Sequence, residues 1–224
     1  MAPLFQRAQL RVVFKTLLSV YGPQHWWPGD TPFEVMVGAV LTQNTAWSNV
    51  ERAIDNLKAA EVLSLDCLLA IPEEKLAQLI RPAGYFNVKA RRLLSLCRFI
   101  HQQGGVGGLM VVPTDPFRSA LLQVHGIGPE TADDILLYAF ERPVFVVDAY
   151  TRRLFSRLGM ISGAEAYEDL RREFETALDL DSSLFNEFHA LIVRHAKQLC
   201  ARKPRCGECP LMMECMFVDG SSNP

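Results

Sequence analysis

No stretch of this sequence is an uninterrupted apolar run of the roughly 18 residues that a membrane helix needs. Its first residues show no short apolar segment followed by a small-residue cleavage site. The sequence therefore reads as that of a cytoplasmic protein of a prokaryote or organelle, without a membrane partner. Basic residues are not in excess: 23 Lys and Arg face 25 Asp and Glu, the net charge is −2 and the pI is near 6.2. A uniformly positive surface is excluded, so any grip on phosphate must come from local clusters. No internal repeat is present, nor any low-complexity tract beyond the glycines between Gly104 and Gly108, which read as a flexible joint. Strand-like alternation is also missing. Phe145-Val146-Val147 is the one extended candidate, and it is too short and has no partner. Six cysteines in a cytoplasmic chain do not make a disulfide scaffold, least of all when four of them crowd into residues 200–215.

What is present is helix. Hydrophobic residues make up 49% of the 224, enough for a substantial core. They recur at three- and four-residue spacing, as in Leu10, Val13, Phe14, Leu17 and Leu18, and in Val50, Ala53, Ile54 and Leu57. Gly22-Pro23 ends the first of these helices, Pro72 opens one over 73–80, and Gly84 precedes one over 87–102. The expected architecture is all-α with two helical lobes. Residues 30–140 form a central lobe, residues 1–29 and 141–199 a second lobe made from both termini, and residues 200–215 a C-terminal metal-binding loop. The tail from Gly220 is expected to fray.

The densest motif is His125-Gly126-Ile127-Gly128-Pro129-Glu130, followed by Phe145-Val146-Val147-Asp148. Gly126 and Gly128 permit a tight turn between two helices through positive φ and leave backbone N–H groups uncovered. Pro129 suits a first helical position, where its missing N–H would have been an orphan, and the remaining donors suit a phosphate oxygen. Asp148 follows an apolar run and precedes Ala149-Tyr150-Thr151-Arg152. It is thus placed both as a buried carboxylate with a strong field and as a helix N-cap. Two acid-free basic stretches could meet DNA: Arg81, Lys89, Arg91, Arg92 and Arg98, and Arg194, Lys197, Arg202, Lys203 and Arg205. Cys200, Cys206, Cys209 and Cys215 give C-x5-C-x2-C-x5-C, whose four thiolates suit either a cubane iron–sulfur cluster or tetrahedral zinc. Cys67 and Cys97 lie in apolar helices and read as small core residues.

The hairpin glycines, the proline and the spaced Asp together resemble the helix-hairpin-helix signature of the endonuclease III superfamily of DNA glycosylases. Trp26-Trp27-Pro28, Phe33-Glu34, Gly38-Ala39-Val40-Leu41-Thr42-Gln43-Asn44-Thr45, Trp47 and Arg81-Pro82-Ala83-Gly84-Tyr85-Phe86-Asn87-Val88-Lys89-Ala90 are similar to the 3-methyladenine DNA glycosylase branch. The resemblance spans about Trp26 to Cys215 and implies that the active site lies in the cleft between the lobes. It makes Asp148 the catalytic carboxylate, and it makes Trp27 and Pro28 on one side and Trp47 on the other the surfaces that sandwich a flipped base. Gln43 would fill the hole left in the duplex, with Tyr85 or Phe86 as the opposing wedge. Gly126 and Gly128 would hold a phosphate, and Arg202, Lys203 and Arg205 would form a basic loop.

Two positions narrow the chemistry that the resemblance implies. Glu130 stands where endonuclease III has the lysine that attacks the sugar, and a carboxylate cannot form an imine. Leu191 stands where one type of the branch has a lysine lining the pocket. The C-terminal spacing is one residue shorter than the superfamily's C-x6-C-x2-C-x5-C for a [4Fe–4S] cluster, though its basic loop Ala201-Arg202-Lys203-Pro204-Arg205 matches. The expectation is a monomeric, monofunctional glycosylase of base excision repair that releases damaged bases, alkylated purines first, from double-stranded DNA. The competing readings are a thymine or uracil mismatch glycosylase, one acting on oxidised pyrimidines, and a non-catalytic helix-hairpin-helix DNA-binding protein. Asp148 argues against the last, because pure binding has no use for a carboxylate that repels phosphate.

Overall fold

A computed structural model describes residues 5–217, and the tail from Gly220 lies outside that range. In chain order the helices are α1 (Arg7–Tyr21), α2 (Pro32–Leu41), α3 (Trp47–Ala59), α4 (Leu65–Ala70), α5 (Glu73–Leu79) and α6 (Phe86–Gln102). They continue with α7 (Gly105–Met110), α8 (Thr114–Leu121), α9 (Pro129–Asp134), α10 (Ala149–Arg157), α11 (Tyr167–Leu178) and α12 (Ser182–Gln198). Short 3-10 turns at Arg81–Ala83, Cys206–Glu208 and Met212–Glu214 complete the set, and the described residues contain no strand. The chain divides into two compact units. One runs from Trp27 to Arg142, and the other joins the residues up to Trp26 with those from Pro143 onward.

The 27–142 unit is built around α2, in which every residue from Phe33 to Leu41 is buried. A helix apolar on all sides must be surrounded, and α3, α6, α9 and the segment after α9 pack on it. Thr31 starts α2 by accepting a hydrogen bond from the Glu34 N–H at 3.1 Å, with Pro32 at the first helical position. All four apolar positions read for α3, Val50, Ala53, Ile54 and Leu57, are buried. After α9 the backbone continues through one π-helical segment, Ile135–Ala139, buried throughout.

The glycine run 104–108 is not a flexible joint; it forms α7 and the left-handed turn into it. Gly104 and Gly105 lie at φ +82° and +80°, and a Cβ on Gly108 would stand 1.9 Å from the Gln103 carbonyl oxygen. These glycines buy backbone geometry and close approach rather than motion. Cys67 corrects the sequence reading in a second way, since it is exposed on α4, whereas Cys97 is buried.

The other unit is held by an aromatic core. Phe145 stacks on Phe174 with centroids 4.2 Å apart and planes within 9°, and Phe5, Phe155, Phe185 and Phe188 pack around them. Phe145-Val146-Val147 is fully buried and belongs to neither a helix nor a strand. Its backbone donors find side chains instead: Phe145 N–H donates to Glu175 at 3.0 Å and Val147 N–H reaches the Tyr167 hydroxyl at 3.5 Å. This run delivers Asp148 to the start of α10.

Candidate active site

Asp148 is the N-cap of α10 and is 8% exposed. Its Oδ1 accepts the Thr151 N–H at 2.7 Å, while Oδ2 stands 3.6 Å from His189 Nε2. Burial alone would raise its pKa. His189 and the Thr151 hydrogen bonds outweigh that and hold the carboxyl below the usual carboxylate range. The result is a fixed negative charge in poorly hydrated surroundings. Lys197, on α12, has its pKa lowered by burial and raised in turn by Asp148, and its ammonium lies 5.8 Å from the centre of the Tyr150 ring. The sequence alone does not single out His189. A lone histidine on the apolar face of a helix reads as core, and only the fold brings it to a residue 41 positions away. Leu191, two residues on, is fully buried.

The helix-hairpin-helix is α8, the turn at Gly126 and α9. Arg118 and Asp133 pin its two helices by a bidentate buried pair, 2.6 and 3.1 Å. Gly126 has the expected positive φ, +85°, and a Cβ there would stand 2.2 Å from Arg92 Cγ. Gly128 corrects the sequence reading: it is extended, φ −93° and ψ 177°, and caps α9 without a side chain. Nothing lies within 4 Å of where its Cβ would be, so the space beside it is open. Glu130 is exposed in the first turn of α9.

The structure brings Trp27 and Trp47 together, edge to face, with centroids 5.1 Å apart and planes at 88°. At that distance the two rings are in direct contact, so no base fits between them as they stand. Tyr138, from the π-helical segment, packs on Trp27 at 5.1 Å. The sequence hid Tyr138 in the apolar run Ile135-Leu136-Leu137-Tyr138-Ala139. The Trp27 indole lies against α2 at Gly38, where a Cβ would come within 3.1 Å of Nε1. Trp27 and Tyr138 open onto a cleft that is also lined by Asp30, Thr31, Glu141 and Arg142. Pro28 is exposed beside them.

Gln43 is half-buried and braced. Its Nε2 donates to the Gly126 carbonyl at 3.0 Å and to Thr131 Oγ1 at 2.9 Å, and its Oε1 accepts from Arg92. Of the two wedge candidates Tyr85 projects: it is 73% exposed, while Phe86 is half-buried under Arg81. The basic stretch around them is only partly a surface one. Arg81, Arg91 and Arg98 are exposed, Arg92 is half-buried, and Lys89 is turned inward at 1% exposure.

Cys200, Cys206, Cys209 and Cys215 line one small cavity with Arg157, Leu199, Pro204 and Phe217. Burial raises the pKa of Cys209, as do the other three thiols around it. Nitrogens stand at two of the sulfurs: Arg157 Nη1 donates to Cys200 Sγ at 3.2 Å, and His195 Nε2 lies 3.6 Å from Cys209 Sγ. Arg157 also binds the carbonyls of Ala201 and Arg202, fastening the loop to α10. Among the described residues no three His, Cys, Asp or Glu side chains are gathered so that they could hold a metal ion. Arg202 and Lys203 are exposed, and Arg205, also exposed, is engaged by Glu208 at 3.4 Å and by the Gln198 carbonyl at 2.9 Å.

Comparison with known proteins gives one family match and several close relatives. The family model for HhH-GPD superfamily base excision DNA repair proteins matches residues 37–179. A Methanocaldococcus jannaschii protein, provisionally named a DNA repair glycosylase, is 48% identical over 208 residues, 91% of this chain and 94% of its own. Endonuclease III of Thermotoga maritima is 30% identical over 83% of each chain. Among solved structures, the Helicobacter pylori 3-methyladenine DNA glycosylase bound to 1,N6-ethenoadenine aligns with a TM-score of 0.75 at 32% identity, over 87% of this chain and 98% of that one. An endonuclease III–DNA complex aligns at 0.81 over 97% and 98%, with 22% identity, a likeness of fold.

Proposed function

The chain belongs to the HhH-GPD superfamily of base excision DNA repair proteins, and from that premise we propose that it is a monofunctional DNA glycosylase that releases alkylated purines from duplex DNA. The observation that carries this reading is the state of Asp148, a buried carboxylate kept ionised by the start of α10 and by His189. As the N-glycosidic bond breaks, its electron pair leaves with the base and positive charge builds on the sugar. A fixed carboxylate stabilises that charge. Water then adds to C1′, gives up a proton to the carboxylate, and leaves an abasic site. A purine alkylated on a ring nitrogen departs as a neutral base, so no acid is required at the leaving group. The alkylpurine preference is supported by Trp27, Tyr138 and Trp47, whose electron-rich faces favour a cationic base, and by the likeness to a 3-methyladenine DNA glycosylase. With Leu191 standing where one type of the branch has a pocket lysine, the preference should extend beyond 3-methyladenine.

Glu130 supports hydrolysis without strand cleavage, because a carboxylate at that place offers no amine to the sugar. The four cysteines around one cavity, with Arg157 donating to the Cys200 sulfur, support a [4Fe–4S] cluster, and the single C-x2-C hook of Cys206 and Cys209 speaks against a zinc knuckle. Cys200, Cys206, Cys209 and Cys215 would hold it. Bound there, it would staple residues 200–215 and present Arg202, Lys203 and Arg205 to phosphates.

The test is release of free bases from duplexes carrying 3-methyladenine, 7-methylguanine, uracil, thymine glycol or a T·G mismatch, with strand breaks scored separately. Methylpurines should be released fastest, strands should break only with alkali, and borohydride should trap no covalent adduct. Uracil or T·G processed far faster than the methylpurines would overturn the substrate assignment. Efficient trapping would overturn the monofunctional one and direct attention to Lys197, whose amine feels the Asp148 carboxylate.

A further inference from the structure

Lys89 is among the largest fully buried side chains of the protein. Its Nζ donates to two carbonyl oxygens, those of Leu41 and Ala83, each at 2.8 Å. These carbonyls are not arbitrary. Leu41 is the last residue of α2 and Ala83 the last of the 3-10 turn, so both are terminal oxygens with no partner further along their own helix. They carry the partial negative charge of a helix C-terminus, which an ammonium complements. One leads directly into Thr42-Gln43, the other into Gly84-Tyr85. Among the described residues Lys89 has no carboxylate partner, and a buried cation without one is costly unless something requires it.

Tyr85 shows the requirement. It lies at φ +45° and ψ 32°, a left-handed conformation unfavourable for a side chain of its size, and its ring is 73% exposed. Tyr85 is also the residue before α6, so its φ and ψ set the direction in which the ring leaves the surface. One helical turn along from Lys89, Arg92 holds the Gln43 side chain, which in turn holds the hairpin at Gly126. One face of α6 thus fastens three segments.

We propose that Lys89 is a positioning residue for DNA penetration, its buried ammonium clamping the Gly84–Tyr85 loop to the C-terminus of α2 so that the Tyr85 ring is preset to enter a duplex beside a damaged nucleotide. The inference rests on the glycosylase reading, because a ring preset to enter DNA has a use only if a base is to leave the stack. Burial and Arg92 lower the amine's pKa to about 8, so at neutral pH the clamp is still a charged one.

The experiment uses a duplex with an abasic-site analogue next to 2-aminopurine and its undamaged counterpart. Affinity for each and the fluorescence rise on unstacking are measured for wild type, Lys89→Gln, Lys89→Met, Tyr85→Ala and the double variants, with folding checked by circular dichroism. Each Lys89 variant should lose preference for the abasic duplex by roughly tenfold, the scale of a lost charged hydrogen bond, and should dim the fluorescence rise. Tyr85→Ala should do the same, and adding Lys89→Gln to it should cost nothing more. Wild-type preference in the folded Lys89 variants, or effects that multiply in the double variant, would overturn the proposal, because a merely structural lysine does not act through Tyr85. A variant that fails to fold is assayed as Lys89→Ala supplemented with n-propylammonium. Restored folding with restored, Tyr85-dependent preference supports the clamp, and restored folding without it overturns it. Wild type showing no preference for the abasic duplex would sink the glycosylase reading itself.

Discussion

At the scale of single residues, Asp148 divides its two oxygens between a helix start and His189. Asn preserves the capping geometry and removes the charge. Asp148→Asn should therefore keep the melting temperature near wild type while base release falls by at least roughly a hundredfold. Asp148→Ala should lose the activity and also about 1 kcal/mol of stability. Because the folded pKa is lowered, the ionised form persists above it and is lost only as pH falls through it. Base release should have no acid limb until pH drops below the ordinary carboxylate value of about 3.9, and a limb near pH 6 would contradict this state of Asp148. The two hairpin glycines should separate in the same way. Gly126→Ala meets both a positive φ and Arg92, and should weaken DNA binding and stability together by about 1–3 kcal/mol. Gly128→Ala, extended and in open space, should change stability by no more than about 0.5 kcal/mol. Denaturation and binding titrations of the two variants decide it.

At the scale of elements, periodicity and punctuation were enough for α3, where all four apolar positions proved buried, and for the start of α6 after Gly84. They failed where composition points the wrong way. A cluster of four glycines reads as a joint, yet α7 forms because neighbouring backbone comes too close for any Cβ. The check is Gly108→Ala: propensity alone favours alanine in a helix by about 1 kcal/mol, whereas the 1.9 Å approach to Gln103 requires destabilisation. A fall in melting temperature is expected. The site was legible to the extent that its residues share a motif. Asp148, Trp27 and Gly126 lie in local patterns, whereas His189, Tyr138 and the inward turn of Lys89 depend on tertiary neighbours that no sequence window contains. Lys89 read as one charge in a basic stretch because its two partners are backbone carbonyls, which leave no mark in side-chain chemistry.

At the scale of the whole molecule, two linkages can be read in solution. Lys89 is depressed from 10.5 to about 8, so the unfolded chain binds more protons between those values and stability must rise with pH across that window. The stability of wild type relative to Lys89→Met should therefore increase from pH 8 to pH 10.5 in denaturant titrations, with Arg92 the charge acting on the amine. A flat difference would mean that the ammonium is not buried in solution. The second linkage is to metal. If the four C-terminal cysteines hold a cluster, the purified protein should be yellow-brown, and Cys206→Ser or Cys209→Ser should cost soluble yield first. Removing iron should then expose residues 200–215 to protease. A colourless, active protein with stoichiometric zinc would replace the cluster.

The contact between Trp27 and Trp47 gives the proposed pocket an occupant of its own. An edge-to-face ring pair contributes about 0.5–1.5 kcal/mol beyond burial, and an entering base must displace that contact before it stacks. In the proposed glycosylase the closed ring pair would compete with an entering base, and opening it would weaken the binding of every base by the same amount. A cost shared by all bases cancels in any comparison between them, so a preference for a cationic ring would rest on the stacking it gains over a neutral one. The same closure would eject the freed base, since the rings regain each other when it goes.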